Sequence, residues 1–442
     1  MSTSYSSFDD INMHILNAIE SNNPQRIVEV STSNVKLTYD YFLAALANGK
    51  AKSAYQIWSL HPKEQWDNDL LNDVGESNYS LIPLKLLARF CDFKLLKMWY
   101  EYIGVYQLDD LNSAIQTGEY DIPNEDNIIE YLFRDYPMII YVILTRNIIG
   151  LITLVKLIGN QLENFLYIYP LIYYEWLEGI ITLQRVIPEF QLHKDDIPRY
   201  YSLISQRKDY FIRHWLDVKY GVGKEHDIET FMKNISIFNA IRADSRLMIT
   251  QLFDAGVDFN YPTFISALAN GKVNAAYEMW KCSVDTNPVN NWGGLMQVNE
   301  VEYPHEYTQT PLMLMGRYAD EKLIYLWYEH FGQKLFSSDL APDTYLEFID
   351  TQFQILTYVI IAHNKNALVE LVKLTKMLVQ PLFYIYPLIK YGWLDGLLKL
   401  IDTIPGFKVD NIDIIDIYYP LAADHNMVLI ETWLHDIYVP SG

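Results

Sequence analysis

The chain has 442 residues, with 34 Lys and Arg against 55 Asp and Glu, a formal charge of −21. Half of the residues are hydrophobic, enough for a substantial core, which excludes global disorder. The acid excess argues against a phosphate-backbone binder, which needs clustered Lys and Arg.

Two cysteines, Cys91 and Cys282, cannot build a disulfide framework and fit a reducing, cytoplasmic compartment. The opening MSTSYSSFDD has neither positive charge nor an apolar stretch, so no signal peptide is expected. The most apolar region, Met138–Ile158, is interrupted by Arg146 and Lys156, so no membrane span is expected either.

Taken in chain order, apolar residues fall at helical spacings in short paired runs, and no stretch sustains period-two alternation. The pairs start near residues 11, 39, 81, 136, 164 and 197, and again near 231, 262, 310, 350, 382 and 414. In the stretch 237–260, for example, Phe238, Ile241, Met248, Ile249, Leu252 and Phe253 flank a break at Ala243-Asp-Ser245, which predicts a helical hairpin.

The second set of six repeats the first. Phe42-Leu-Ala-Ala-Leu-Ala-Asn-Gly-Lys50 returns as Phe264-Ile-Ser-Ala-Leu-Ala-Asn-Gly-Lys272, an offset of 222. Trp99-Tyr-Glu101 returns as Trp327-Tyr-Glu329, an offset of 228, and Tyr167-Ile-Tyr-Pro170 as Tyr384-Ile-Tyr-Pro387, an offset of 217. All ten tryptophans pair: Trp58 with Trp280, Trp66 with Trp292, Trp99 with Trp327, Trp176 with Trp393, and Trp215 with Trp433. Residues 1–221 and 222–442 therefore read as two copies, joined near Tyr220-Gly-Val-Gly223.

The changing offset locates insertions. They predict long surface loops at 62–80, 105–135, 283–309 and 333–350, and Pro170 and Pro387 predict helix breaks.

Two-helix units of this length bury their apolar faces only by stacking. Thr310-Pro-Leu-Met-Leu-Met315 resembles the ankyrin Thr-Pro-Leu-His-x-Ala opening, and Leu252-Phe-Asp-Ala-Gly-Val-Asp-Phe-Asn260 the ankyrin Leu-x-x-x-Gly-Ala-Asp-x-Asn close. Ile82-Pro-Leu-Lys-Leu-Leu-Ala88 and Ala44-Ala-Leu-Ala-Asn-Gly-Lys50 are further-drifted relatives of that pattern. The chain is similar to divergent ankyrin-repeat arrays of large DNA viruses, rich in Ile, Asn and Tyr. The resemblance implies an all-α, internally duplicated α-solenoid of about twelve ankyrin-like helix pairs, continuous through both copies.

Motifs for chemistry are sparse. Gly49-Lys50 and Gly271-Lys272 have no glycine five positions earlier, so they are not phosphate loops. Gly221-Val-Gly223 lacks the third glycine of a dinucleotide fingerprint. The ten histidines form no His-Glu-x-x-His, and Cys91 and Cys282 read as small packed hydrophobes. No catalytic, cofactor or metal site is expected.

The most localised charge is acidic: Asp109, Asp110, Glu119, Asp121, Glu125, Asp126, Glu130 and Asp135, with Arg134 the sole cation among them. Such a run is either a solvated loop that aids solubility or a docking surface for a basic partner. The paired aromatics read chiefly as packing between units. Trp66 and Trp292 lie in inserted segments and are candidates for partner contact.

The solenoid resemblance implies a non-catalytic protein-interaction module. It would be monomeric and would bind a protein through its concave face and inserted loops, with Trp66, Asp109, Asp110, Asp121, Glu125, Asp126 and Trp292 as candidate contacts. No nucleic acid or membrane partner is expected. The alternative is a structural component of a larger assembly, viral if the resemblance extends that far, which predicts oligomers. Ubiquitin-ligase adaptors among viral ankyrin proteins often end in an F-box-like segment, and residues 410–442 show no clear one.

Overall fold

The computed structural model describes residues 8–32, 37–60, 83–109, 128–129, 132, 136–162, 164–192, 194–207, 210–220, 228–286, 310–335, 348–349, 353–375, 379–409, 417–424 and 427–438. Among them there are helices and no strand.

The first copy runs α1 (Phe8–Glu20), α2 (Pro24–Thr32), α3 (Tyr39–Ala47), α4 (Ala51–Leu60), α5 (Pro83–Phe90), α6 (Phe93–Trp99), α7 (Pro137–Leu144), α8 (Ile148–Ile158), α9 (Asn164–Tyr173), α10 (Leu177–Val186), α11 (Ile197–Arg207) and α12 (Tyr210–Tyr220). The second repeats that order: α13 (Ile228–Arg242), α14 (Arg246–Asp254), α15 (Tyr261–Ala269), α16 (Val273–Thr286), α17 (Pro311–Tyr318), α18 (Glu321–Trp327), α19 (Gln354–Ile361), α20 (Lys365–Thr375), α21 (Leu382–Lys390), α22 (Leu394–Thr403), α23 (Tyr419–Asp424) and α24 (Val428–Tyr438).

The helices stack in two rows. One row packs α3 on α5, α5 on α7, α7 on α9 and α9 on α11; the other packs α2 on α4, α4 on α6, α6 on α8 and α8 on α10. The second copy makes the same contacts twelve helices later. The buried residues form one core cluster spanning both copies, from Ile15 to Leu434.

Four pairs in each copy have a turn fixed locally. A left-handed residue stands between the two helices at Asn22, Gly49, Arg146 and Glu175, and at the matching Asp244, Gly271, His363 and Gly392, with φ between 48° and 69°. A single αL residue ends one helix and redirects the chain into the next.

Side chains at these turns then tie neighbouring pairs together. Asn147 caps α8 by accepting from Gly150 N at 2.9 Å, while its amide donates to the carbonyls of Ala88 (2.9 Å), Arg89 (3.2 Å) and Cys91 (3.3 Å). Asn364 does the same in the second copy, accepting from Ala367 N at 3.1 Å and donating to the carbonyls of Gly316 (3.1 Å), Arg317 (3.3 Å) and Ala319 (2.9 Å). Asp244 accepts from Ala275 N at 2.9 Å as Asn22 accepts from Ser53 N at 3.1 Å.

Three expectations are corrected. Pro170 and Pro387 do not break helices; they lie inside α9 and α21. Each costs one hydrogen bond in a short helix whose burial on nearly every side offsets the loss.

The segment 105–135 is not a surface loop throughout. Residues 105–109 continue helically after a π-helical turn at Tyr100–Gly104, and Leu108, Ile128, Ile129 and Leu132 are buried in the core. The stretches 283–309 and 333–350 behave likewise where they are described: α16 runs to Thr286, a π-helical turn at Tyr328–Gly332 leads into helical residues Gln333–Leu335, and Phe348 and Ile349 are buried. Apolar residues at the edges of the insertions explain both cases, since they pack on the array that the insertions interrupt. The stretch 62–80 lies outside the described residues.

Because Asn364 supplies one acceptor and several donations, its variants separate the two roles. Asn364→Asp keeps the cap but sets a carboxylate against three carbonyls, whereas Asn364→Ala loses both. Both are expected to lose about 2–4 kcal/mol in urea unfolding, with Asp no better than Ala. A clearly milder loss for Asp would show that only the cap matters.

Candidate functional site

The turns of the helix pairs do more than connect. Those of one copy meet those of the other, and polar side chains cross this join.

Asn48 donates to Ala44 O at 2.9 Å and to Gly392 O at 3.2 Å, and accepts from Asp395 N at 3.4 Å. Asn270 donates to Ser266 O at 2.8 Å and to Glu175 O at 3.1 Å, and accepts from Glu178 N at 3.3 Å. Trp176 and Trp393 stand at the N-caps of α10 and α22, where a side-chain acceptor is usual, and neither supplies one. The asparagine of the opposite copy supplies it instead.

The arginines repeat the exchange. Arg89 donates to the carbonyls of Ile361 and Ala362, and Arg317 donates to the carbonyl of Leu144. Burial, and then the like charge of Arg317, lowers the Arg89 guanidinium to about 9, so it stays a cation at neutral pH. These contacts are reciprocal: what copy one gives to copy two, copy two gives back. Reciprocity of that kind is the mark of a twofold relation, here within one chain.

The ends of the copies also meet. The last helix of copy one, α12, packs on α13 and α15, and the last helix of copy two, α24, packs on α1 and α3. The array therefore closes on itself. Lys50 fastens the second junction, pairing with Glu20 at 2.9 Å and Asp395 at 3.6 Å. Burial raises the Glu20 carboxyl above its ordinary value, against the pull of Lys50.

The halves differ where the turns carry aromatic partners. In copy two, His363 lies 4.7 Å from the Trp393 ring at an interplanar angle of 15°, with Phe90 4.8 Å away on the opposite copy. In copy one, the guanidinium of Arg146 takes the place of that imidazole, 5.4 Å from the Trp176 ring centroid, and donates to the carbonyl of Tyr174. Beside it is a cavity of about 460 Å³, bounded by copy one on one side and by Asn270, Gly271 and Tyr318 of copy two on the other. A smaller cavity of about 240 Å³ lies within copy two beside Tyr384 and Phe407.

Of the residues singled out from sequence, Asp109 is described; it is exposed at the end of the helical run after the π-turn and adds to the raised Tyr100 hydroxyl value, which burial dominates. Trp66, Asp110, Asp121, Glu125, Asp126 and Trp292 lie outside the described residues. The structure brings together other residues: Asn48, Arg89, Arg146 and Trp176 with Asn270, Arg317, His363 and Trp393. The repeat alignment contained a signal for them, since Asn48, Arg89 and Trp176 recur as Asn270, Arg317 and Trp393.

Trp58, Trp99, Trp176 and Trp215 are buried, as are Trp280, Trp327 and Trp393 of the second copy. Cys91 and Cys282 are buried and in no disulfide, and burial pushes the Cys91 thiol up to about 12. Among the described residues no helix is long and apolar enough to cross a membrane, and no cluster of His, Cys, Asp and Glu is arranged to hold a metal ion. Comparison with family models, with curated proteins and with solved structures finds no match.

His363 gives the join a pH dependence. Burial, then Arg89 and Lys365, hold its pKa well below 6.5. The unfolded chain therefore takes up a proton near 6.5 that the folded chain refuses, and stability falls as pH drops below that value. One proton corresponds to about 1.4 kcal/mol per pH unit. His363→Asn, which tolerates the left-handed turn, is expected to lose the stacking at all pH values and to flatten the stability profile between pH 6.5 and 5. An unchanged slope in urea titrations at several pH values would contradict the assignment.

Proposed function

We propose that the chain is a non-catalytic protein-interaction module built from ankyrin-like helix pairs, in which a rigid closed array presents the inserted segments to a protein partner. One observation carries the reading: six polar side chains at the turns bond to the chain's own backbone. Asn48, Asn270, Asn147 and Asn364 cap helices and hold carbonyls, and Arg89 and Arg317 hold carbonyls across the copies. That chemistry positions a scaffold.

The local geometry supports the ankyrin-like part. Thr310 caps α17 by accepting from Met313 N at 3.3 Å with Pro311 in the first turn, and Gly49 and Gly271 take left-handed turns. That likeness extends the reading to arrays of large DNA viruses, with a host or virion protein as partner.

The twofold exchange gives the interaction reading a shape. Residues 61–82 join α4 to α5 and residues 287–310 join α16 to α17, so the segments with Trp66 and Trp292 start and finish at equivalent places in the two copies. Such an array suits one partner gripped at two equivalent places, or two copies of one partner. The acidic segment breaks the equivalence, because copy one alone carries the full run from Asp109 to Asp135. It is suited to steering a basic surface.

The test is affinity capture from lysate with the full chain as bait, beside two variants. Deleting residues 109–135 would remove the buried Ile128, Ile129 and Leu132, so charge is removed instead: Asp109→Asn, Asp110→Asn, Asp121→Asn, Glu125→Gln and Asp126→Asn together. The second variant carries Trp66→Ala and Trp292→Ala. The expected result is a near-stoichiometric partner that is weakened at least tenfold by neutralisation and lost at raised salt. Capture of the chain by itself alone, with oligomers in solution, would replace this reading with that of an assembly component.

A further inference from the structure

We propose that the cavity between the copies binds a small organic anion with a flat apolar body, such as an aromatic carboxylate or sulfonate. This inference is independent of the protein partner proposed above.

The cavity of about 460 Å³ lies within the range of small-molecule sites. Its walls are mainly apolar, with Ile148, Ile152, Trp176 and Tyr318 among them. Two guanidiniums, Arg146 and Arg185, line it against one carboxylate, Glu178. Two cations at an apolar wall select an anion, because a carboxylate or sulfonate can accept charge-assisted hydrogen bonds that a neutral ligand forgoes.

The duplication supplies an internal control. At the matching place in copy two, Lys365 stands where copy one has Ile148, Lys399 where it has Thr182, and Asp402 where it has Arg185. There Asp395, the counterpart of Glu178, is pinned by Lys365 at 3.4 Å and by Lys50 at 3.6 Å. Among the described residues Glu178 makes no ion pair, and neither does Arg185. In copy two, ion pairs thus hold the carboxylate at this place, while copy one has an apolar Ile148 there and, among the described residues, an Arg185 without an ion pair. The shared frame of Asn270, Gly271 and Trp176 is the same in both copies, and only the lining has diverged toward a charged, open site.

The test uses the full chain and 2-naphthalenesulfonate as probe, followed by calorimetry. The expected result is one saturable site per chain. Arg185→Gln, an exposed change that leaves the fold intact, should weaken it about tenfold or more. Ile148→Lys, which imports the copy-two residue and lets it pair with Glu178, should abolish it. Lys399→Gln in the other half should leave it unchanged, and neutral 2-naphthalenemethanol should bind at least tenfold more weakly than the sulfonate. Absence of saturable binding, binding that survives both Arg185→Gln and Ile148→Lys, or equal binding of the neutral probe would each overturn the proposal.

Discussion

A stack of helix pairs has an apolar face at each end, and that exposed face is the constraint from which this architecture follows. Open arrays cover it with polar terminal units. Here the last helix of each copy, α12 or α24, covers the first pairs of the other, so neither end is left over. Duplication makes this possible. A surface that fits the start of its own twin fits twice, and two equal copies close a ring in which every unit has a neighbour on both sides.

Closure by apolar packing alone would leave the register loose, since hydrophobic contact is non-directional. The polar residues at the turns supply direction. Asn48 and Asn270 accept from backbone N–H groups that only the opposite copy presents, and Arg89 and Arg317 reach carbonyls that only the opposite copy exposes. Burying a guanidinium, and setting a second one near it, is costly, as the lowered Arg89 value reflects. The cost is tolerated because each guanidinium is satisfied by carbonyl oxygens. The same frame then diverges at its edges: a neutral His363 stacked on Trp393 in one half, and a guanidinium beside an open cavity in the other.

The helices and the duplication were legible in the sequence because both are local or textual signals. Apolar spacing marks each helix, Asn270-Gly271 marks a turn, and a repeated Tyr-Ile-Tyr-Pro needs no structure to be seen. The π-turns and the uninterrupted helices through Pro170 and Pro387 were not legible, since tertiary burial overrode local propensity. Nor was the buried part of the acidic insertion, where Ile128, Ile129 and Leu132 sit among charges that dominate the composition. The join between the copies was half visible. Asn48, Arg89 and Trp176 recur in the text, but recurrence alone says only that a residue is kept, and a resemblance to a linear array points away from contacts across 344 residues such as Asn48 with Gly392.

Closure is most directly tested by a distance between α1 and α24. Spin labels at Asn17→Cys and His435→Cys would report it by pulsed electron resonance, since Cys91 and Cys282 are buried and Cys91 holds its proton to about 12. A closed ring predicts one narrow distribution below about 30 Å, whereas twelve pairs stacked openly at ~8–10 Å per layer would separate the labels by on the order of 100 Å. A long or broad distribution would contradict the account.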